Sequence, residues 1–222
     1  MGAADSLSRL AILASGNGSN MQAIADACSD GTIPARITVI GSNRPGAGVL
    51  ERARRAGIPQ VVVDHRDYAT RDAFDRAMLA ELEPHAPDLV VLAGFMRILT
   101  PLFIASFRGR LLNIHPSLLP KYPGLKTHAR ALAAGDREHG ATVHFVTDEL
   151  DGGPPVLQAR VPIIPDDNAD TLAARVLELE HRIYPQAISW WVKGRLRLTA
   201  GEVTLDGKTM PATGIPYTPG KT

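Results

Sequence analysis

Short apolar runs alternate with amphipathic stretches from about residue 9 to about residue 190, and this alternation predicts the fold class. The run at 89–93 is continuously apolar, which is typical of a parallel strand that is covered on both faces. Residues 70–83 instead place Phe74, Met78 and Leu82 on one helical face. Strands that alternate with helices predict an α/β fold, in which a mostly parallel sheet carries helices on both faces.

The same patterns predict the remaining elements. Further strands are expected at 10–14, 36–40, 60–63, 111–114, 141–146 and 155–161, and further helices at 19–28, 47–56 and 171–191. Pro185 should kink or divide the last helix. No repeat, linker or break in composition is present, so we expect a single domain over residues 1–222. Its tail, from about residue 200, should form a small hairpin and a loose end.

Composition excludes several classes of protein. The 222 residues carry a net charge of +1, which does not indicate a nucleic-acid-binding surface. A single cysteine, Cys28, excludes an internal disulfide and any metal site built from several cysteines. No apolar run has the length of a membrane span, and no signal-peptide core occurs near the start. We therefore expect a soluble, cytoplasmic protein that binds neither membranes nor nucleic acid.

The segment Asn113-Ile114-His115-Pro116 is the strongest indication of chemistry. Side chains alternate along a strand, so Asn113 and His115 should share one face, and Pro116 should end the strand. An amide donor and an imidazole would then converge at the carboxyl end of a strand, where open α/β sheets bind ligands. The acidic-glycine loop around Asp151 adds a carboxylate, which completes a plausible set for acyl transfer. The alternative is that these residues only form turns.

A glycine-rich turn, Gly16-Asn17-Gly18-Ser19-Asn20, follows the first strand and opens a helix. Glycines allow close approach of the backbone to an anion, and the helix amino terminus supplies N–H groups. Met21 stands where the dinucleotide motif requires a third glycine, and the lysine of a P-loop is absent. The turn therefore predicts a monophosphate site, unless it merely connects the strand to the helix.

The remaining histidines give weaker signals. His65, His85, His139 and His181 lie in polar or helical contexts and are expected at the surface. Whether His128 and His144 line the same cavity as His115 is left open. No metal-binding spacing of histidines and acids occurs, so we expect no metal.

Four motifs in order resemble the folate-dependent formyltransferases, in particular the branch that formylates glycinamide ribonucleotide. They are Ser-Gly-Asn-Gly-Ser-Asn at 15–20, Leu-Ala-Gly-Phe-Met-Arg-Ile-Leu at 92–99, Asn-Ile-His-Pro-Ser-Leu-Leu-Pro at 113–120 and Val-Thr-Asp-Glu-Leu-Asp-Gly-Gly-Pro at 146–154. The resemblance covers residues 10 to about 198. It implies a Rossmann-like three-layer α/β/α sandwich on a mixed sheet. The implied reaction moves a formyl group from 10-formyltetrahydrofolate, the co-substrate, to the amine of glycinamide ribonucleotide in purine biosynthesis.

The resemblance also implies a role for each matching residue. The catalytic positions are Asn113, His115 and Asp151. The substrate's phosphate is assigned to Gly18, Ser19, Asn20, Met21 and Gln22, and its ribose to Glu180. The folate is assigned to Arg71, Met96, Arg97, Ile98, Leu99, Asn113 and Val146. The family needs no metal for this step, and the sequence leaves monomer and homodimer open.

Three alternatives use parts of the same pattern. Methionyl-tRNA formyltransferase and formyltetrahydrofolate hydrolase share the formyl-folate motifs, but each carries an additional domain that we do not expect here. A nucleotide-binding protein without catalysis would use the glycine turn. It would not need Asn113, His115 and Asp151 together.

Overall fold

The computed structural model describes residues 7–220, whose contacts form two compact units. The boundary between the units falls, in sequence, between Arg110 and Leu111. The expectation of one domain over residues 1–222 is not tested by this division and stays a prediction. The last two residues of the predicted loose end, 221 and 222, lie outside the described residues.

The first unit is built on a parallel sheet. Its strands are β1 (Ser8–Leu13), β2 (Ala35–Ser42), β3 (Gln60–Val62) and β4 (Leu89–Leu92). Its helices are α1 (Ser19–Ser29), α2 (Gly48–Arg55), α3 (Arg71–Leu82) and α4 (Pro101–Ser106). The strands lie in the order β4–β1–β2–β3, and each neighbouring pair is parallel. Their carboxyl ends therefore share one edge, at which ligands of such sheets bind.

Local sequence explains where these elements begin and end. All four residues of β4 are buried, as expected for a strand with two covered faces. The Thr70 hydroxyl accepts a hydrogen bond from the backbone N–H of Ala73 at 3.2 Å and so caps the amino terminus of α3. Gly57 has a φ of +66° just after α2, a conformation that glycine adopts readily and that ends the helix there.

The second unit contains the remaining strands and two helices. The strands are β5 (Leu111–His115), β6 (Glu138–Phe145), β7 (Pro155–Pro162), β8 (Leu196–Thr199), β9 (Glu202–Leu205), β10 (Lys208–Thr209) and β11 (Ile215–Pro216). The helices are α5 (Thr127–Ala133) and α6 (Ala169–Val192). Strands β5, β6, β7 and β11 are neighbours in that order, whereas β8, β9 and β10 form a separate small sheet.

The second unit makes the sheet mixed. Strand β6 is antiparallel to both β5 and β7, whereas β11 is parallel to β7. Together with the parallel first unit, these pairings confirm the expected α/β fold on a mostly parallel, mixed sheet.

Two local expectations differ from the structure. Helix α6 continues through Pro185 without division, because the helix on either side of the proline is packed in the core. The tail forms the expected hairpin of β8 and β9, but its end is not loose. Ile215 and Pro216 extend the sheet beside β7, and the Tyr217 N–H donates to the Gln158 carbonyl at 2.7 Å.

Candidate active site

Strand β5 presents Asn113 and His115 on one face, as the sequence predicts. They are two residues apart, and the strand ends at His115, directly before Pro116. The antiparallel partner β6 places His144 opposite Asn113, and Thr142 opposite His115. Directly opposite residues share a face, so four polar side chains lie together on this side of the two strands.

His115 is held between two oxygen acceptors. Its side chain is buried, with Nε2 at 2.9 Å from the Tyr122 carbonyl oxygen and Nδ1 at 3.5 Å from Asp151 Oδ2. A carbonyl only accepts, so Nε2 carries a proton. The contact of Nδ1 with Asp151 is longer than an ordinary hydrogen bond. Asp151 therefore does not close off Nδ1, and an oxygen atom that approaches between the two side chains can reach it.

The Asp151 carboxylate is held in place by a backbone N–H from another loop. Its Oδ2 accepts a hydrogen bond from the backbone N–H of Gly124 at 2.8 Å, and its Oδ1 lies 3.9 Å from His144 Nε2. Both Asp151 (φ +52°) and Tyr122 (φ +57°) adopt the left-handed backbone conformation, which is uncommon outside glycine. Such conformations cost free energy and cluster at functional sites. Both residues that contact the His115 ring are thus held in this conformation.

The glycines after Asp151 are needed for space. A Cβ at Gly153 would overlap the Phe145 carbonyl oxygen, and one at Gly152 would overlap the Glu149 side chain. The loop therefore packs closely against the end of β6.

His144, which the sequence left open, contacts Asn113. The Asn113 Nδ2 and His144 Nε2 atoms are 3.1 Å apart, and His144 Nδ1 lies 2.9 Å from the Phe145 carbonyl oxygen. Only 2% of His144 is exposed, and burial lowers its pKa to about 4. The imidazole is therefore neutral at physiological pH.

His139 was expected at the surface, and that expectation is wrong. It is 1% exposed, and its Nε2 lies 3.1 Å from Nδ1 of His128. Burial, followed by the nearby His128, lowers the pKa of His139 to about 4. The polar local sequence around residue 139 gave no sign of this packing, because the residues that cover it are distant in sequence.

The glycine turn has the geometry of an anion site. Gly18 caps α1 with a φ of +83°, and a Cβ there would lie 2.7 Å from Val49 Cγ2. The first N–H groups of a helix point away from the helix body, toward this turn. The Met21 side chain is fully buried, and Gln22 Nε2 donates to Asp26 Oδ1 at 2.9 Å. Of the predicted phosphate residues, Met21 can therefore contribute only its backbone groups, and Gln22 already uses one side-chain N–H within α1.

The segment Met96–Leu99 is tied to the residue before the glycine turn. The Met96 N–H donates to Ser15 Oγ at 2.7 Å, and the Ser15 N–H donates to the Gly94 carbonyl at 3.0 Å. At the other end, the Thr100 N–H donates to the buried Asp75 carboxylate at 2.6 Å. The segment is thus anchored on both sides.

Its side chains divide between solvent and core. Met96 and Ile98 are exposed, whereas Leu99 is buried. The Arg97 guanidinium lies over the Phe74 ring at 5.4 Å from its centroid. Arg71, the first residue of α3, is also exposed. Met96 and Ile98 thus offer exposed apolar surface to a ligand on either side of Arg97.

The other predicted residues lie in the second unit. Glu180 is buried on α6, although it is an acid, and Val146 follows directly after β6. The Val146 N–H donates to the Leu111 carbonyl at 3.0 Å, which holds the start of the Asp151 loop beside β5.

A cavity lies beside the glycine turn in the first unit. A cavity of about 470 Å³ opens in the first unit and is lined by Ser15, Gly16, Arg44, Pro45, Gly46, Ala47, Gly48, Asp64, His65 and Arg66. Gly16 of the predicted glycine turn lines it, but none of the residues assigned individually to substrate or folate does. Residues 7–220 hold no cluster of three or more histidine, cysteine or acidic side chains that suits a metal. No helix within that range is long and apolar enough to cross a membrane.

A family model described as formyl transferase matches residues 8–188. The chain belongs to this family. A formyl transferase relative, phosphoribosylglycinamide formyltransferase of Escherichia coli strain K12, is 53% identical over 205 residues, which are 92% of this chain and 97% of the relative. The same-named protein of Haemophilus influenzae is 50% identical over 208 residues, with 94% and 98% covered.

Solved formyl transferase structures agree in fold. The structure of phosphoribosylglycinamide formyltransferase from Coxiella burnetii, in complex with CHES, has a TM-score of 0.91 and 46% identity. The match covers 96% of this chain and 100% of the Coxiella burnetii chain. Glycinamide ribonucleotide transformylase 1 from Symbiobacterium toebii has a TM-score of 0.87 at 46% identity, with 90% and 94% covered.

Proposed function

We propose that this protein transfers the formyl group of 10-formyltetrahydrofolate to the amine of glycinamide ribonucleotide, a step of purine biosynthesis. Relatives of 50–53% identity over nearly their whole length carry the corresponding name. The observation that carries the mechanism is the cluster of amide, imidazole and carboxylate around His115.

The two donors in this cluster would act on the formyl oxygen. When the substrate amine attacks the formyl carbon, negative charge develops on that oxygen. One N–H of Asn113 Nδ2 faces His144, and the second N–H is available for the oxygen. His115 Nδ1 is the other donor. Removing one donor of this kind typically costs about 2.7–4 kcal/mol of transition-state stabilisation.

Asp151 would complete the proton transfer. The attacking amine must lose a proton as the new C–N bond forms, and the Asp151 carboxylate accepts it directly or through a water. The C–N10 bond of the folate then breaks, and N10 takes a proton, so that tetrahydrofolate leaves.

Binding of the two substrates is assigned to other residues. The turn Gly18–Asn20 supplies backbone N–H groups and the α1 amino terminus for the phosphate, and Glu180 is assigned to the ribose. Arg71, the segment Met96–Leu99 and Val146 are assigned to the folate. The proposed partners are these two small molecules, without nucleic acid or membrane, and the proposed location is the cytoplasm. Monomer and homodimer both remain compatible with this reaction.

A turnover assay with purified protein tests the proposal. Glycinamide ribonucleotide plus 10-formyltetrahydrofolate should give the formylated nucleotide, whereas formate release without the nucleotide would indicate a hydrolase. Formylation of methionyl-tRNA instead would indicate the tRNA-dependent relative.

Asn113→Ala and His115→Ala should each lower kcat by roughly 100-fold or more, with smaller changes in KM. His85→Ala, a histidine without a role in this proposal, serves as the matched control.

A further inference from the structure

The side chain of Asn113 can adopt two orientations that differ only in which end of the carboxamide faces His144. In one orientation the amino group, Nδ2, contacts the His144 ring. In the other orientation the carbonyl oxygen, Oδ1, contacts it. Transfer chemistry needs the amino group on the side of the developing charge, because only the amino group donates. What fixes this orientation is therefore part of how the site works.

The surroundings of His144 determine its tautomer. The Phe145 carbonyl oxygen, 2.9 Å from Nδ1, can only accept, so Nδ1 carries the ring proton. A neutral imidazole with its proton on Nδ1 has an acceptor at Nε2. The neighbour of Nε2 at 3.1 Å must then be a donor, and in Asn113 only Nδ2 is one.

We propose that His144 is a positioning residue that fixes the Asn113 carboxamide with its amino group toward the reacting oxygen. Two contacts in a row carry the effect: His144 Nδ1 donates to the Phe145 carbonyl, and His144 Nε2 accepts from Asn113 Nδ2. The β5–β6 register holds this arrangement, because Asn113 and His144 are directly opposite each other. The inference rests on the proposed role of Asn113 in formyl transfer.

The burial of His144 supports this role. The side chain is 2% exposed, and burial lowers its pKa to about 4, so that Nε2 remains an acceptor at working pH. The charged groups that face it are Asp151, whose Oδ1 is 3.9 Å from Nε2, and His115. If His144 Nε2 were protonated, its N–H would be near the Asp151 carboxylate, and Asn113 would face a donor in place of an acceptor. The amide would then favour the opposite orientation.

The test is a double-mutant cycle in the holo assay, with both substrates present. His144→Leu removes the acceptor at similar volume and should lower kcat about tenfold, with little change in either KM, as expected for the loss of about one hydrogen bond. His144→Gln, whose carbonyl can accept from Asn113, should recover most of that loss. In an Asn113→Ala background, His144→Leu should have no further effect on kcat.

Each outcome decides one point. If His144→Leu is as harmful in the Asn113→Ala background as in the wild type, His144 does not act through Asn113 and the inference is wrong. A folded His144→Leu variant that keeps the wild-type kcat would also show that the inference is wrong. If instead Asn113→Ala itself keeps normal kcat, the proposed function of Asn113 fails, independently of His144. Thermal unfolding of each variant separates a loss of fold from a loss of positioning.

A spectroscopic readout supports the cycle. With ¹⁵N-labelled histidine, the His144 resonances should show the tautomer with hydrogen on Nδ1 between pH 6 and pH 9. The opposite tautomer, with hydrogen on Nε2, would contradict the assignment directly.

Discussion

Acidification should destabilise this protein through His139 before most carboxylates titrate. In the unfolded chain a histidine has a pKa of about 6.5, whereas burial, followed by His128, lowers the pKa of His139 in the folded protein to about 4. A folded pKa below the unfolded one means that the unfolded state binds the proton more readily. The contribution to stability is therefore complete above about pH 6.5 and is lost progressively as the pH falls toward 4.

The size of the effect follows from the shift. Between these two pKa values, each pH unit costs about 1.36 kcal/mol for one such group. From pH 7 to pH 5 the folded state should thus lose about 2 kcal/mol through His139 alone. This is a large part of the ordinary stability of a domain.

Urea unfolding at pH 7, 6 and 5 measures the effect, on the wild type and on His139→Gln. The free energy of unfolding of the wild type should fall by about 2 kcal/mol more than that of the variant over this range. This difference between wild type and variant measures the contribution of the His128–His139 pair and not of His139 alone, because the substitution also removes the neighbour of His128. Val143→Ala, a buried and non-titrating position on the same strand, should lower stability by an amount that does not depend on pH. Parallel curves for wild type and His139→Gln would refute the reasoning.

Two further predictions test the substrate and proton-transfer assignments. Gly18→Val should weaken binding of glycinamide ribonucleotide tenfold or more, roughly 1.4 kcal/mol, while folate binding stays nearly intact, as measured by calorimetry. Because a Cβ at Gly18 also meets Val49, Gly16→Ala, whose Cβ would have open space, is the control for added bulk in the same turn. Asp151→Asn should lower kcat with little change in KM, because the carboxylate that accepts the proton of the amine is lost. Wild-type turnover of the folded variant would remove Asp151 from the mechanism.

The elements that could be predicted from sequence are the ones with a strong local signal. The continuous apolar run of β4 is sufficient by itself to predict a strand, and the capped amphipathic pattern of α3 is sufficient to predict a helix. Helices α4 and α5 were missed, because six or seven residues are too few to show a helical period. Strand β11 has two residues, and its position depends on β7 rather than on its own sequence.

The candidate site shows the same division. The polar pair on β5 could be predicted because side-chain alternation is a property of one strand. His144 could not, because its contact with Asn113 depends on the antiparallel pairing of two strands that are 30 or so residues apart. The antiparallel direction itself has no local signature. The backbone conformations of Tyr122 and Asp151 are likewise imposed by contacts that form only on folding.

The chemistry of the second unit therefore depends on the register of β5 with β6. The residues that alternate with the polar set, Ile114 and Val143, are buried and apolar, and they lie opposite each other on the other face. A slip of one residue in either strand would place an apolar side chain beside Asn113 in place of His144, and would turn polar groups into the core. Burial of the apolar face thus favours the one register that pairs the amide with its acceptor. The same packing that stabilises the sheet also arranges the groups that we propose for formyl transfer.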